Sequence, residues 1–275
     1  MPELPEVETV RRRLEPVLVG RRFEHVDIED ARLTRPEDPA EVAAELTGER
    51  VAALERRGKY LIVRFESGRV LLIHLRMTGT LLHAPAGGPA DVPHRRAVVN
   101  LDDGSDVVYR DVRRFGTWLL VEPDALGPYL AERLGGEPLG RAFTTKSLAA
   151  SLANRKAPVK AALLDQRTLA GLGNIYVDEA LWRARIHPLR PARELGADEA
   201  RALREGIKRA LEAGIKRQGA TLRDYRQPDG TAGSMQKEFK VYGRGGEPCD
   251  RCGTPIEKIR VAGRGTWYCP SCQPL

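Results

Sequence analysis

No stretch of this 275-residue chain approaches the roughly 18 consecutive apolar residues that a membrane-spanning helix needs, so no membrane partner is expected. The amino terminus, MPELPEVETVRRRLEP, also lacks the apolar core of about 7–15 residues and the small-residue cleavage site of an export signal. A cytoplasmic protein is therefore expected. Internal repeats and low-complexity tracts are absent, which excludes a solenoid or a disordered tail. Cysteine is scarce: four residues, all within the last 27 positions, too few and too clustered for a disulfide scaffold.

What is present begins with charge. A net charge of +7 attracts polyanions, because each neutralised phosphate releases condensed counterions, yet a basic enzyme with no nucleic-acid partner would look the same. The length suits one large domain or two to three small ones. Over residues 5–18, Val7, Val10, Leu14 and Val17 recur at spacings of three and four, one face of a helix, with Glu3, Glu6 and Glu8 at its positive end and Gly20 as its stop. From there to about 121 the period is that of strands: KYLIVRF-ESGR-VLLIHL reads as one hairpin and RAVVNL-DDGS-DVVYR as another. Residues 132–145 carry three glycines and no period, which reads as a linker. From 146 to about 219 leucines and isoleucines recur at helical spacing, broken at Gly171, Gly173 and Pro188. Residues 220–237 are polar and aperiodic and read as a mobile loop.

Cys249-x2-Cys252, sixteen residues, then Cys269-x2-Cys272 is the spacing in which two tight turns offer four thiolates to one tetrahedral zinc. A redox pair needs a single such motif near a βαβ unit, a poorer fit. Four protein ligands leave no position for water, so one structural zinc is expected. Beyond residue 236 there are seven Lys or Arg against four acids, and four thiolates with a zinc dication remove two charges of that excess, leaving the module near +1. Any DNA affinity here must rest on placed side chains such as Arg264.

The first residues are chemically unusual. A proline at position two, once Met1 is removed, exposes a secondary amine; an α-amino group has a pKa of about 7.7–8.0, so a useful fraction is unprotonated and able to attack an aldehydic carbon. Pro2 and Pro5 are equally explained as first-turn residues of a helix. The longer string PELPEVE, together with RRGKYL (56–61), IHLRMTG (73–79), DVRRFG (111–116), LAGLGNIYVDEALWRARIHP (169–188), YGRGGEPCDRCG (242–253) and GRGTWYC (263–269), closely resembles formamidopyrimidine-DNA glycosylase, in order and across nearly the whole length.

The resemblance implies an α+β protein: an N-terminal β-sandwich with an amino-terminal helix over 1–131, a linker over 132–145, a helix-two-turn-helix domain with a lesion loop over 146–235, and a zinc ribbon over 236–275. It implies a bifunctional glycosylase and AP lyase of base-excision repair. Pro2 attacks the sugar C1′, expels an oxidised purine (8-oxoguanine or a formamidopyrimidine) and leaves a covalent iminium, after which β,δ-elimination breaks the strand. Glu3 is then the general acid for ring opening, Lys59 the proton donor of the first elimination, and Arg264 the residue linked to the second. Base extrusion costs a few kcal/mol, and Met77, Arg113 and Phe115 match the residues that fill the hole; without the resemblance, Met77 and Phe115 would be read as core. His74, His94 and Asn174 match DNA contacts, the last at a glycine-rich helix start suited to phosphate, and Arg155, Lys156 and Lys160, just upstream of it, are expected to bind phosphate too. Glu179 is read as a buried carboxylate near the active site.

Two positions depart from the family pattern. Val112 stands where proline is common, which concerns loop rigidity, and Arg223 stands where lysine is common in the loop over the flipped base, which touches base preference. A double-stranded DNA partner, a monomer with DNA entering between two domains, and a bacterial cytoplasmic, nucleoid-associated location follow from the same resemblance. Two alternatives stand beside it. Endonuclease VIII-like enzymes share the proline chemistry on oxidised pyrimidines but tend to start PEGPE, where this chain has Leu4. A non-catalytic zinc-ribbon DNA binder explains charge and cysteines, but not a proline-first terminus joined to GKYL and DVRRFG.

Overall fold

The computed structural model describes residues 2–87 and 92–275, and its contacts divide into two compact units. The first comprises residues up to Leu130 together with Arg217–Ser234; the second comprises Ala131–Lys216 and Met235–Leu275. The sequence reading groups residues 220–235 with the helices. The contacts of residues 220–234 instead join them to the N-terminal unit, where the backbone N–H of His83 donates to Pro228 O at 2.7 Å and Glu6 reaches Ala220.

The first unit opens with helix α1, Leu4–Leu18, which has Pro5 in its first turn. Its Val7, Val10 and Leu14 are fully buried, as their spacing predicts. Strand β1 (Phe23–Ile28) and helix α2 (Pro39–Leu46) follow, and the Asp38 carboxylate caps α2 by accepting from Ala40 N at 2.8 Å. Then come β2 (Val51–Arg57), β3 (Tyr60–Phe65), β4 (Val70–His74), β5 (Gly79–Ala84), β6 (Arg95–Leu101), β7 (Asp106–Asp111) and β8 (Thr117–Val121). They form two antiparallel four-stranded sheets, β1-β6-β7-β5 and β2-β3-β4-β8. Residues from both sheets, α1 and α2 share one core, including Leu14, Leu46, Leu61, Leu71, Leu101 and Trp118. Both predicted hairpins are present, as β3-β4 and β6-β7.

Helix α3 (Pro123–Arg133) crosses the boundary between the units. The second unit holds α4 (Thr145–Leu152), α5 (Val159–Leu164), α6 (Asn174–Ala184) and α7 (Ala197–Lys216). Helix α7 lies close on α6 because of two glycines: a Cβ on Gly206 would stand 2.6 Å from Ala180 O, and one on Gly214 would stand 2.5 Å from the Tyr176 ring. The hairpin β9 (Glu257–Val261) and β10 (Arg264–Tyr268) completes the unit between the two cysteine pairs. Among the described residues, no helix is long and apolar enough to cross a membrane.

Candidate active site and nucleic-acid interface

Pro2 and Glu3 are both buried at the amino-terminal end of α1, Glu3 at 2% exposure. Two contacts orient that end. Glu8 on α1 accepts from Arg56 Nε on β2 at 3.0 Å, and Arg11, one turn further along, donates to Leu54 O at 3.5 Å. Moving back along α1 from Glu8 therefore moves forward along β2 past Arg56. At about 1.5 Å per helical and 3.3 Å per strand residue, Glu3 and Lys59 arrive at the same end of the layer. Lys59 is buried there, after Gly58 in a left-handed turn (φ 58°) and before β3. Three arginines surround Glu8. Burial pushes its carboxyl up, but hydrogen bonds from Arg11, Arg12 and Arg56 outweigh that and hold it below the usual range.

His74 pairs in register with Tyr60, the neighbour of Lys59, and packs against the Tyr60 ring edge-on at 4.8 Å. Its Nδ1 accepts from Arg76 N at 3.0 Å. Burial, then the charges of Arg76 and Lys59, push its pKa down to about 3. The expected DNA contact at His74 is consequently limited to hydrogen bonding by a neutral ring.

Glu6, read in the sequence only as a first-turn acid, has a larger part. One carboxylate oxygen accepts from Glu3 N at 2.9 Å and the other from Ala220 N at 2.7 Å, so this buried side chain ties the proline-bearing end of α1 to the 217–234 loop. Tyr225 adds a hydroxyl donated to Gln218 O at 3.2 Å. Gly219 (φ +81°) must be glycine, because a Cβ would also meet the Glu6 side chain at 2.8 Å. Arg223 of the same loop is exposed and faces Thr80, Leu82, Arg110 and Arg226 across an open pocket of about 270 Å³.

Met77, Arg113 and Phe115 come together on two adjoining loops. The knot is Asp111, 1% exposed, whose carboxylate accepts from Thr78 Oγ1, from Arg113 N at 3.2 Å, from Phe115 N at 2.9 Å and from Gly116 N at 2.8 Å. A Cβ on Gly116 would stand 1.6 Å from the Tyr109 hydroxyl, and one on Gly79 2.4 Å from it, so both motif glycines are required by close approach. The bland reading of Met77 and Phe115 as core fails: Phe115 is 50% exposed with the Arg113 guanidinium 4.7 Å from its ring centre, and Met77 is half-buried. Val112 is exposed beside them. Phe115, Met77 and Val112 thus present apolar atoms together beside the Arg113 guanidinium at the surface. His94 is exposed in a left-handed conformation (φ 64°), with its carbonyl accepting from Asp111 N. Arg32, Arg35, Arg76 and Arg114, which the sequence alone does not single out, line an open pocket of about 590 Å³ shared with Met77 and Phe115. No local spacing marks them, since they come from three separate loops.

In the second unit, Asn174 begins α6 after Gly173, and its Nδ2 donates to Gly265 O at 2.9 Å. Arg155 is half-buried and paired with Asp165 at 2.9 Å, and Lys156 is exposed. Lys160 overturns its sequence reading as a phosphate contact: it is fully buried, with Nζ 2.7 Å from Asp178 Oδ1, and a buried ammonium cannot meet DNA. Glu179 is fully buried, the first half of its sequence reading, and its carboxylate is spent on the backbone N–H groups of Lys240, Val241 and Tyr242 at 2.8, 3.0 and 3.2 Å. It thereby holds the chain entering the cysteine module. Arg264 is exposed at the β9-β10 turn.

The four cysteine sulfurs lie within 4.8 Å of one another, Cys249–Cys272 at 4.0 Å and Cys252–Cys269 at 3.4 Å. Zinc–sulfur bonds of about 2.3 Å demand sulfurs about 3.8 Å apart at the corners of a tetrahedron, so the residues fit one structural zinc. Trp182 of α6 donates its Nε1–H to Cys249 Sγ at 3.4 Å, and Gln273 Nε2 donates to Ile186 O at 2.8 Å, which seats the module on the helices.

Residues 1–118 match the family model described as the formamidopyrimidine-DNA glycosylase N-terminal domain, 134–226 its H2TH domain, and 246–275 a zinc finger found in FPG and IleRS. The chain belongs to the formamidopyrimidine-DNA glycosylase family. A relative of that name from Roseiflexus sp. (strain RS-1) is 47% identical over 274 residues, covering 99% of this chain and 100% of its own. One from Geobacillus kaustophilus is 49% identical over 277 residues, with coverage of 99% and 100%. The solved complex of a Lactococcus lactis FPG mutant with Fapy-dG-containing DNA superposes with a TM-score of 0.92 at 40% identity, covering 100% of both chains. The family's α+β architecture, with N-terminal sheets, H2TH helices and zinc ribbon, is that of this chain.

Proposed function

We propose that this chain is a base-excision repair glycosylase and lyase that removes oxidised purines from double-stranded DNA, using Pro2 as its nucleophile. The observation that carries the reading is the burial of Pro2 and Glu3 at the amino-terminal end of α1, with Glu6 tying Glu3 N to the 217–234 loop. With Met1 removed, a step outside the described residues, the Pro2 amine attacks C1′ and the base departs with the bond's electron pair. Glu3, the next residue and itself buried, protonates the opening sugar ring in this reading. The nitrogen and C1′ are then joined as an iminium, which acidifies the neighbouring carbon, so that the 3′-phosphate leaves in the first elimination and the 5′-phosphate in the second. The resemblance assigns Lys59 to the first elimination and Arg264 to the second.

Met77, Arg113 and Phe115 supply a wedge and a forked donor to replace the extruded base. His74, His94, Arg155, Lys156, Asn174 and Arg223 are the DNA contacts of this reading, and zinc orders the ribbon that carries Arg264. The protein acts as a monomer. A second reading has one specific observation behind it: a Lactococcus lactis FPG, 40% identical with a TM-score of 0.91, is solved with DNA containing an oxidised pyrimidine. The test is single-turnover excision on matched duplexes carrying 8-oxoguanine, a formamidopyrimidine or an oxidised pyrimidine. Faster purine release supports the proposal, and faster pyrimidine release replaces it with the second reading.

A further inference from the structure

The buried pair of Lys160 and Asp178 is unexplained by the proposed chemistry, and its neighbours show what it touches. Lys160 on α5 forms an ion pair with Asp178, Nζ to Oδ1 at 2.7 Å, and donates to Gly265 O at 3.0 Å and to Thr266 Oγ1 at 2.8 Å. Asp178 on α6 accepts from Trp267 N at 3.1 Å, and Asn174, one turn earlier, donates to Gly265 O. Two helices thus place four directed bonds on three consecutive residues, 265 to 267, immediately after Arg264. Both charged side chains are entirely enclosed.

A buried ion pair is a poor choice for stability alone, since well-packed apolar residues of similar volume often do as well. What directed bonds supply is register. The β9-β10 ribbon has only two strands, a form that is marginal by itself, and it pairs Arg264 with Val261 across a turn formed by Ala262 and Gly263. A slip of one residue would carry the Arg264 side chain to the opposite face.

We infer that Lys160 and Asp178 are positioning residues, a clamp that fixes the register of the β9-β10 turn and so aims Arg264 at the DNA backbone. The inference rests on the reading of Arg264 as a participant in strand cleavage. Lys160 then affects DNA chemistry through Arg264, with no phosphate contact of its own.

The experiment is a double-mutant cycle on the full zinc-loaded chain. Lys160→Met with Asp178→Asn keeps the enclosed volume and an acceptor for Trp267 N while removing the charges and the Lys160 bonds to Gly265 and Thr266. The readout is the ratio of δ- to β-elimination product in single turnover, which normalises for binding and base release; zinc content and melting temperature are measured in parallel. A misplacement near 1 Å can cost on the order of a hundredfold, so the clamp variant is expected to lower the ratio by roughly tenfold or more. Combined with Arg264→Ala, it should lower the ratio no further than Arg264→Ala alone. Thr266→Val, which deletes one buried acceptor, should give a smaller loss of the same kind, and it carries the test if the double variant fails to bind zinc. A parental ratio in the clamp variants, or losses that multiply with that of Arg264→Ala, would overturn the clamp. A parental ratio in Arg264→Ala would instead overturn the reading of Arg264 itself, and the clamp's purpose with it.

Discussion

His74 makes a pH-dependent contribution to stability whose size follows from its surroundings. The ring is 8% exposed, its Nδ1 already accepts from Arg76 N, and its pKa is about 3 against an ordinary value of 6.5. Because the folded-state value is the lower one, the unfolded chain binds the extra proton. The stabilisation is therefore complete above pH 6.5 and is lost progressively as pH falls towards 3. Between pH 7 and pH 5 the loss is about 2 kcal/mol at 1.36 kcal/mol per pH unit, with most of the fall below 6.5. That corresponds to a melting-temperature change of roughly 4–8 °C for a unit of this size. The assay is thermal denaturation at both pH values for the parent and for His74→Gln, which removes the titration but retains a polar side chain. Other groups titrate identically in both proteins, so the difference between the two pH effects isolates His74. Equal losses of stability in parent and variant would show that His74 is not the titrating group. Neutrality at pH 7 also means that His74→Gln should leave the salt slope of DNA binding unchanged.

Asp111→Asn leaves one side of the carboxamide unable to accept, so at least one of four donors is stranded; a loss of about 1–3 kcal/mol is expected in denaturant unfolding, with slower excision from duplex DNA than from single strands. Arg32→Ala combined with Arg35→Ala should flatten the log–log salt dependence of duplex affinity by up to about two, at about 0.9 per phosphate lost, as read by fluorescence anisotropy. An unchanged slope would remove that pocket from the DNA surface. Stripping zinc with a chelator removes a binding free energy of about 10–16 kcal/mol from a small module. Trp182 and Trp267, both packed at the cysteines, should then shift their emission to the red and recover on zinc addition.

Local patterns carried much of this architecture. The spacing of Val7, Val10 and Leu14, the ESGR and DDGS turns and the paired Cys-x2-Cys motifs each specify a structure within a few residues, and each is present. What the sequence concealed depends on distant partners. Helix α2 is a short segment whose apolar face is defined only by packing on β1. Residues 217–234 join the first unit through Glu6 and His83, both far away along the chain. Lys160 reads as a surface charge because nothing nearby in sequence announces Asp178 as its counterion. Phe115 shows the opposite case: an apolar residue type suggests burial, but Asp111 pins its backbone so that the ring faces outward.

The proposed nucleophile is the Pro2 amine. Sodium borohydride trapping on a duplex carrying 8-oxoguanine opposite cytosine, followed by peptide mass mapping of the adduct, shows which nitrogen bonds to DNA. The expected trapped species carries its DNA-derived mass on an amino-terminal peptide beginning at Pro2 and is lost in Pro2→Gly. An adduct mapped to Lys59 or another lysine, or no adduct at all, would contradict it.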